Sequence, residues 1–382
     1  MLFTIDPMPL IFTLASRNLF HDRVRFVATV VGIVFSIVLV AVQLGLFLGF
    51  ERMITTMIDH SQADLWIAPA QTKSFESTSM LDGRERFQAL AVEGVTAAVP
   101  VMIGFAYWRK SDGSAAPVFL IGVEPGGLQP WDLAEGSLED LSAPGAVAVD
   151  RSYFERLGVA RIGDIAEIRD QKARVAVVTR GVRSFTTTPY VFTTIDRARD
   201  YMGASPNKAT YFIVRIAPGA SAAGVRRELT ARLSDAEVLT SDEFRRRSRS
   251  FWLFGTGAGA ALFASAVLGT IVGTVIVAQT LYSSTKDHLN EFATLRAIGS
   301  SRNYIYRVIL WQALLSAIIG FSIAAGISWA LVAATRDTAL PIVMTPGLTV
   351  GLFALTLFMC ALSAISAITV VTRIDPAMVF TR

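Results

Sequence analysis

The sequence predicts an integral membrane α-helical protein with four transmembrane helices and a mixed α+β extracytoplasmic domain inserted between the first and second. Three observations predict it. Apolar residues concentrate in four charge-free runs: Phe26–Phe50 (25 residues), Phe251–Tyr282 (32), Val308–Thr335 (28) and Ala339–Thr372 (34). A helix needs about 20 apolar residues to cross a hydrocarbon core of roughly 30 Å, and every run exceeds that. Charged residues make up only 17% of the 382-residue chain, too few to keep such runs in water. Residues 51–250 differ sharply, with 25 basic and 25 acidic side chains.

Residues 1–25 form the first element. "PLIFTLASRNLFHDRVRF" puts Leu10, Ile11, Leu14, Leu19 and Phe20 on a helical stripe, with Arg17, His21 and Arg25 elsewhere. That pattern suits a cytoplasmic amphipathic helix lying in the membrane interface, although it also fits an ordinary basic flank. The first span, residues 26–50, is too long for the apolar core of a signal peptide, and no small-residue cleavage site follows Phe50. It is expected to remain as an anchor. Met53, Ile54, Met57 and Ile58 keep helical spacing, so the helix continues past the membrane and ends before Ala63.

The outer block, residues 51–250, reads as mixed α+β with room for two small subdomains. "AYWRKSDGSAAPVFLIGVEP" gives a hairpin turning at Asp112-Gly113. A strand, a short helix and several short strands follow, broken by Gly158, Gly163 and Gly181. "ATYFIVRIAPG" is another strand, and "SAAGVRRELTARL" is a helix with Val225, Leu229 and Leu233 on one stripe. Trp66, Trp108 and Trp131 are expected to pack in or on this domain. From Ser241 the pattern turns helical, with Ser241 or Asp242 as cap, and reads as one unbroken helix into the second span, 251–282. A helix of that length spans about 48 Å, so it is expected to extend out of the bilayer as a stalk. A cytoplasmic segment (283–307), a third span (308–335), a short loop (336–346), a fourth span (347–372) and a tail (373–382) complete the chain.

Orientation follows from Lys and Arg near the span ends. Both termini and 283–307 together hold nine basic and five acidic residues, and placing these in the cytoplasm puts 51–250 outside. The net charge of +4 therefore marks orientation and gives no sign of nucleic acid. The only cysteine, Cys360, lies in the last span, so the outer block has no disulfide.

Several chemistries find no support. No G-x-x-x-x-G-K-[ST] stretch occurs, so no P-loop is present. "GTGAGA" at 255–260 opens an apolar run and does not follow a strand, which disfavours a nucleotide loop. The pairs Gly255/Gly259 and Gly269/Gly273, each four apart, fit close helix–helix packing better. The three histidines, His21, His60 and His288, make no metal-binding pair, and no cofactor is expected in this chain. No span holds an ionisable residue of the kind proton relays use. Ser322 and Ser363 have no intramembrane base beside them. Arg245, Arg246, Arg247 and Arg249 stand at the outer foot of the second span, as a solvated helix face or a contact for anionic lipid headgroups.

"NEFATLRAIGSSRNYIYRVILWQ", residues 290–312, reads as a helix, a break and a helix. Phe292, Leu295 and Ile298 repeat every three residues, while Glu291, Thr294 and Arg296 lie toward other sides. Gly299 suits the left-handed end of a helix, and Ser300 or Ser301 can cap the next. A short cytoplasmic helix with an apolar face fits a groove in a protein partner, or lies on lipid.

"DHLNEFATLRAIGSS" resembles the cytoplasmic signature of FtsX-like permeases of the macrolide-exporter (MacB) type, and its wording is most similar to the DevC, heterocyst glycolipid exporter, branch. "VGIVFSIVLVAVQLG", "ADLWIAP" and "RIDPAMVF" add to the resemblance. Many MacB-type members have an E-I-G version of the first motif, a departure that leaves the cargo open. The resemblance implies a homodimeric ABC permease in a bacterial inner membrane, working with a separate ATPase that binds ATP and Mg. It implies a periplasmic adaptor, an outer-membrane duct, and export of a lipid or other hydrophobic cargo by mechanotransmission. Carried onto this chain, the coupling helix that docks on the ATPase falls to Glu291, Phe292, Leu295, Arg296, Ile298 and Gly299. The competing reading is an anchored receptor or scaffold, which would need no ATPase.

Overall fold

The computed structural model describes residues 13, 16, 23–287, 294, 300–338 and 340–372. In chain order its helices are α1 (Arg23–Asp59), α2 (Arg84–Leu90), α3 (Phe154–Leu157), α4 (Ile195–Met202), α5 (Ala222–Arg232), α6 (Ser241–Ser250), α7 (Ala258–Asp287), α8 (Arg302–Thr335) and α9 (Pro346–Thr372). Its strands are β1 (Leu65–Pro69), β2 (Val95–Arg109), β3 (Ala115–Val123), β4 (Leu133–Glu135), β5 (Ala146–Asp150), β6 (Ile165–Ile168), β7 (Gln171–Thr179), β8 (Tyr190–Thr194), β9 (Tyr211–Ile216) and β10 (Ala236–Thr240). The chain divides into an apolar unit (residues 1–48, 261–336 and 342–382) and an outer unit (49–260 and 337–341). The amphipathic helix expected over residues 1–25 falls almost wholly outside the described residues.

Four helices of the described chain are long and apolar enough to cross a membrane, over Phe26–Asp59, Ala258–Gln279, Asn303–Thr335 and Pro346–Ile365. Within the apolar unit, Ile33 and Ile37 of α1, Val277 of α7, Ala313 and Ala317 of α8, and Met359 and Ala364 of α9 form one buried cluster. Small residues set how closely these helices approach. A Cβ at Gly320 would stand 2.6 Å from the Ile33 side chain, and one at Gly32 would stand 2.9 Å from Ile276. Several hydroxyls on these helices bond a carbonyl of their own helix, which suits an apolar solvent, whereas the buried hydroxyls of Ser316 and Ser328 in α8 have no hydrogen-bond partner among the described residues. Ser36 donates to the Gly32 carbonyl at 2.7 Å and Thr356 to that of Leu352 at 2.7 Å. Ser322 and Ser363 donate likewise to Ile318 (2.8 Å) and Met359 (2.7 Å), which gives them a structural role. On the other side of α7, Phe263, Leu268, Ile271 and Val275 are exposed, an apolar face suited to lipid.

The outer unit is built on one ten-stranded sheet with a path order of β10-β1-β9-β2-β3-β8-β5-β7-β4, and β6 pairs with β2 and β7. Two separate subdomains are therefore not found: β2, 15 residues long, pairs with β9, β3 and β6 and ties both ends of the sheet together. The β3–β8 and β5–β7 pairings are parallel and the rest antiparallel. The β2–β3 hairpin turns at Asp112-Gly113 as its sequence dictates. Asp112 Oδ1 accepts from the Ser114 backbone N–H (2.8 Å) and hydroxyl (2.6 Å), and Gly113 takes the left-handed conformation (φ 83°). Trp66 and Trp108 are fully buried, while Trp131 packs at the core edge and stacks on His60 at 3.8 Å. Val225, Leu229 and Leu233 face the core as their spacing predicts.

Candidate functional site at the stalk of the outer domain

Two helical segments bound the outer unit: the end of α1 beyond Gly49, and α6. They run antiparallel and are joined by charge. Arg245 Nε lies 2.5 Å from Asp59, and Arg249 lies 3.6 Å from Glu51. Beneath them Phe244 packs edge-on against Trp66 (centroids 5.3 Å apart), and Trp66 contacts Tyr211 and Phe75 in the same manner. The Ser241 hydroxyl, at the first residue of α6, donates to the carbonyl of Ala63 in the loop after α1 at 2.8 Å.

The cap of α6 lies one residue before Ser241 and two before Asp242, the caps expected from sequence. Thr240 is the cap: its hydroxyl accepts from the Glu243 N–H (3.2 Å), and the Glu243 carboxylate accepts from the Thr240 N–H (3.1 Å). This reciprocal capping box requires a Glu three residues after the cap, a condition that Thr240 meets and Ser241 does not.

The unbroken helix expected from α6 into the second span is interrupted. Residues Phe251–Gly255 form a π-helical turn, with the Thr256 N–H bonded to the Phe251 carbonyl five residues back at 3.0 Å. Gly257 then adopts φ 75°, and a new helix begins at Ala258. A π-turn of this kind recurs at sites of function because it leaves carbonyls underused and rotates the following side chains. The turn aims Trp252 into the outer unit. Its indole N–H donates to Glu76 Oε2 at 2.9 Å, and its ring meets Phe185 edge-on at 4.8 Å, which in turn meets Phe50 of α1 at 5.3 Å. Tyr190 donates to the other Glu76 oxygen at 3.3 Å. Withdrawal of this carboxyl from water pushes its pKa up to about 7, against hydrogen bonds from Trp252, Ser74 and Tyr190 that pull it down. Burial, then the neighbouring Glu76 charge, raise Tyr190 well above the ordinary tyrosine range.

A second charged node involves Asp337, two residues past the end of α8. Arg183, nearly buried, lies 3.7 Å from Asp337 and 4.0 Å from the buried Asp150. Asp150 accepts from the Val182 N–H (2.8 Å) and from the hydroxyls of Thr179 (3.0 Å) and Ser152 (2.6 Å), so its charge is well satisfied.

The residues singled out from sequence are placed as follows. Glu291, Phe292, Leu295, Arg296, Ile298 and Gly299 lie outside the described residues. After them, Ser301 caps α8, accepting from the Tyr304 N–H at 3.2 Å. Gly269 and Gly273 of α7 sit on a helix seam: a Cβ at 269 would meet Leu39 at 3.3 Å, and one at 273 would meet Ser36 at 2.5 Å and Met359 at 3.0 Å. Gly255 and Gly259 act locally instead. Their Cβ positions face Phe251 (3.2 Å) and the Leu253 backbone (2.6 Å), because the chain turns there. Of the four stalk arginines, Arg245, Arg247 and Arg249 are held in ion pairs with Asp59, Glu237 and Glu51. Arg246 is exposed and has no ion pair among the described residues. Glu76 and Trp252 escaped sequence reading, since no local spacing links positions 176 residues apart.

Residues 26–232 match the MacB-like periplasmic core domain, more than half of the chain, and residues 263–376 match the FtsX-like permease C-terminal domain. The chain belongs to the FtsX/MacB-like ABC transporter permease family. Comparison with curated proteins gives no match. Among solved structures, the chain is similar to the extracellular domain of the noncanonic ABC-type transporter YknZ from Gram-positive bacteria (14% identity, 47% of this chain and 99% of that one, TM-score 0.36). It is also similar to the periplasmic region of MacB from Actinobacillus actinomycetemcomitans (13% identity, 51% and 96%, TM-score 0.39). A third likeness is a domain of a putative permease protein from Porphyromonas gingivalis (15% identity, 46% and 89%, TM-score 0.33). The two domain matches place the chain in this family. This permease is a multi-pass membrane protein, and permeases of its family work with an ABC ATPase and are not themselves ATPases.

Proposed function

We propose that this permease converts ATP hydrolysis by a separate ATPase subunit, which holds ATP and Mg, into movement of its outer domain. The observation that supports this most is the construction of α1. It runs 37 residues from Arg23 to Asp59, from an apolar stretch into the ion-paired base of the outer unit. A continuous rod of that kind passes displacement along its axis. A conduit for ions or protons would instead need ionisable groups, which the four apolar runs lack. In this reading Phe292, Leu295 and Ile298 face the ATPase, flanked by Glu291 and Arg296, and Gly299 ends the docking helix.

The finer reading follows from the motif wording. The permease works as a homodimer of the DevC branch in a bacterial inner membrane, with both termini cytoplasmic and four crossings. It exports a lipid or other hydrophobic cargo through a periplasmic adaptor and an outer-membrane duct. Co-purification of the full chain in mild detergent tests the coupling. A P-loop ATPase at one copy per chain is the expected result. Recovery of the chain alone, under conditions that preserve its dimer, contradicts it and favours an anchored receptor.

A further inference from the structure

Lys73 and Arg246 line an open groove of about 700 Å³ with Thr72, Glu237, Arg247 and Phe251. Both cations are exposed, and neither has an ion pair among the described residues, unlike their neighbours Arg245, Arg247 and Arg249. The turn that presents Lys73 is firmly built. The Thr72 hydroxyl donates to the Pro69 carbonyl at 2.7 Å, and the Thr72 N–H donates to Glu237 at 3.0 Å. Arg247 bridges the same Glu237 (2.5 Å) and the Thr72 carbonyl (3.0 Å), which locks the turn to α6. Phe75, two residues on, is fully buried beside Trp66. Arg247 and Glu237 thus neutralise each other and act as scaffold, leaving Lys73 and Arg246 as cations without an ion pair among the described residues.

We propose that this groove binds the phosphate of an anionic membrane lipid, with Lys73 and Arg246 as its ligands. Position and shape favour a lipid over a free anion. The groove lies where α6 leads into the second apolar helix, and Phe251 forms its wall with the Lys73 ammonium 5.8 Å from the ring centroid. Phe254, three residues further, is 75% exposed and offers an acyl chain a surface to follow. A phosphate held here would sit against the π-turn of residues 251–255, so lipid binding and the conformation of that turn are linked. The inference rests on the membrane-embedded reading of the chain and is independent of its coupling to an ATPase.

The test is titration of the purified full chain in mild detergent with short-chain phosphatidylglycerol and phosphatidylcholine, without nucleotide or ATPase. The parent is expected to prefer the anionic lipid. Lys73→Gln with Arg246→Gln is expected to lower that affinity about 30-fold, and Lys73→Gln alone about fivefold, from about 1 kcal/mol for each cation at a lipid surface. Lys73→Arg with Arg246→Lys should retain it. Lys172→Gln with Arg227→Gln, which removes the same charge at exposed positions elsewhere, should also retain it. Unchanged affinity in the double or single glutamine variant would overturn the proposal, as would an equal loss in the remote control. Full displacement of the lipid by inorganic phosphate at the lipid's own concentration would assign a free-anion site and also overturn it.

Discussion

Glu76 is the residue whose chemistry most directly ties the outer sheet to the stalk. Its carboxyl, with a pKa pushed up to about 7 by withdrawal from water, bonds Trp252 of the π-turn and Tyr190 of β8. The ordinary value is 4.5, so between about pH 4.5 and 7 the folded chain keeps a proton that the unfolded chain has released. Stability therefore falls as pH rises through this window, by up to about 3 kcal/mol, and the loss is complete above about pH 7. Glu76→Gln retains hydrogen-bonding atoms without the charge. It should flatten the pH dependence of hydrogen exchange across residues 251–257, and an unaltered profile would show that another group sets it. Gly273 gives a second test. Its Cβ position stands 2.5 Å from Ser36 and 3.0 Å from Met359, whereas that of Gly326 meets nothing within 4 Å. Gly273→Val is expected to cost about 1–3 kcal/mol in unfolding titrations, and Gly326→Ala close to nothing. The spacing of Gly269 and Gly273 could be read from sequence. The Glu76–Trp252 bond could not, because only the folded sheet brings the two together.

Among the elements, α6 and the π-turn show where local signals succeed and fail. The capping box is written in sequence as Thr240-Ser-Asp-Glu243, yet the neighbouring Ser241 and Asp242 are equally good cap residues in isolation, and only the Glu at the third position decides. Thr240→Ala should cost about 1 kcal/mol, read as a lower unfolding midpoint of the outer unit. The break at 251–257 was illegible for a different reason. "FWLFGTGAG" continues an apolar pattern, and glycine is tolerated in apolar helices, so hydropathy cannot separate a continuous helix from an interrupted one. Gly257, at φ 75°, is the position that fixes it. Gly257→Ala puts a Cβ into the left-handed region at about 1–2 kcal/mol and favours a straightened segment. The expected outcome is slower hydrogen exchange at 255–258. Faster or unchanged exchange would show that Gly257 does not hold the break.

For the whole molecule, the class, the four apolar helices, the hairpin at Asp112-Gly113 and the α5 stripe were legible because each rests on periodicity or turn chemistry within a short window. The order of the sheet was not. β1 pairs with β10 and β9, and β3 runs parallel to β8, pairings between segments far apart in sequence that leave no local mark. For the same reason the outer block reads as separable pieces, while the 15-residue β2 makes it one sheet. The central claim is that the chain transmits work done by another subunit. The most direct measurement is the ATPase rate of the co-purified complex in lipid nanodiscs, with the parent chain and with Phe292→Asp and Leu295→Asp together. The account predicts that the parent stimulates hydrolysis. The double variant, inserted in the membrane at the parent level, should bring the rate down to that of the ATPase alone. Full stimulation by the double variant would contradict the account.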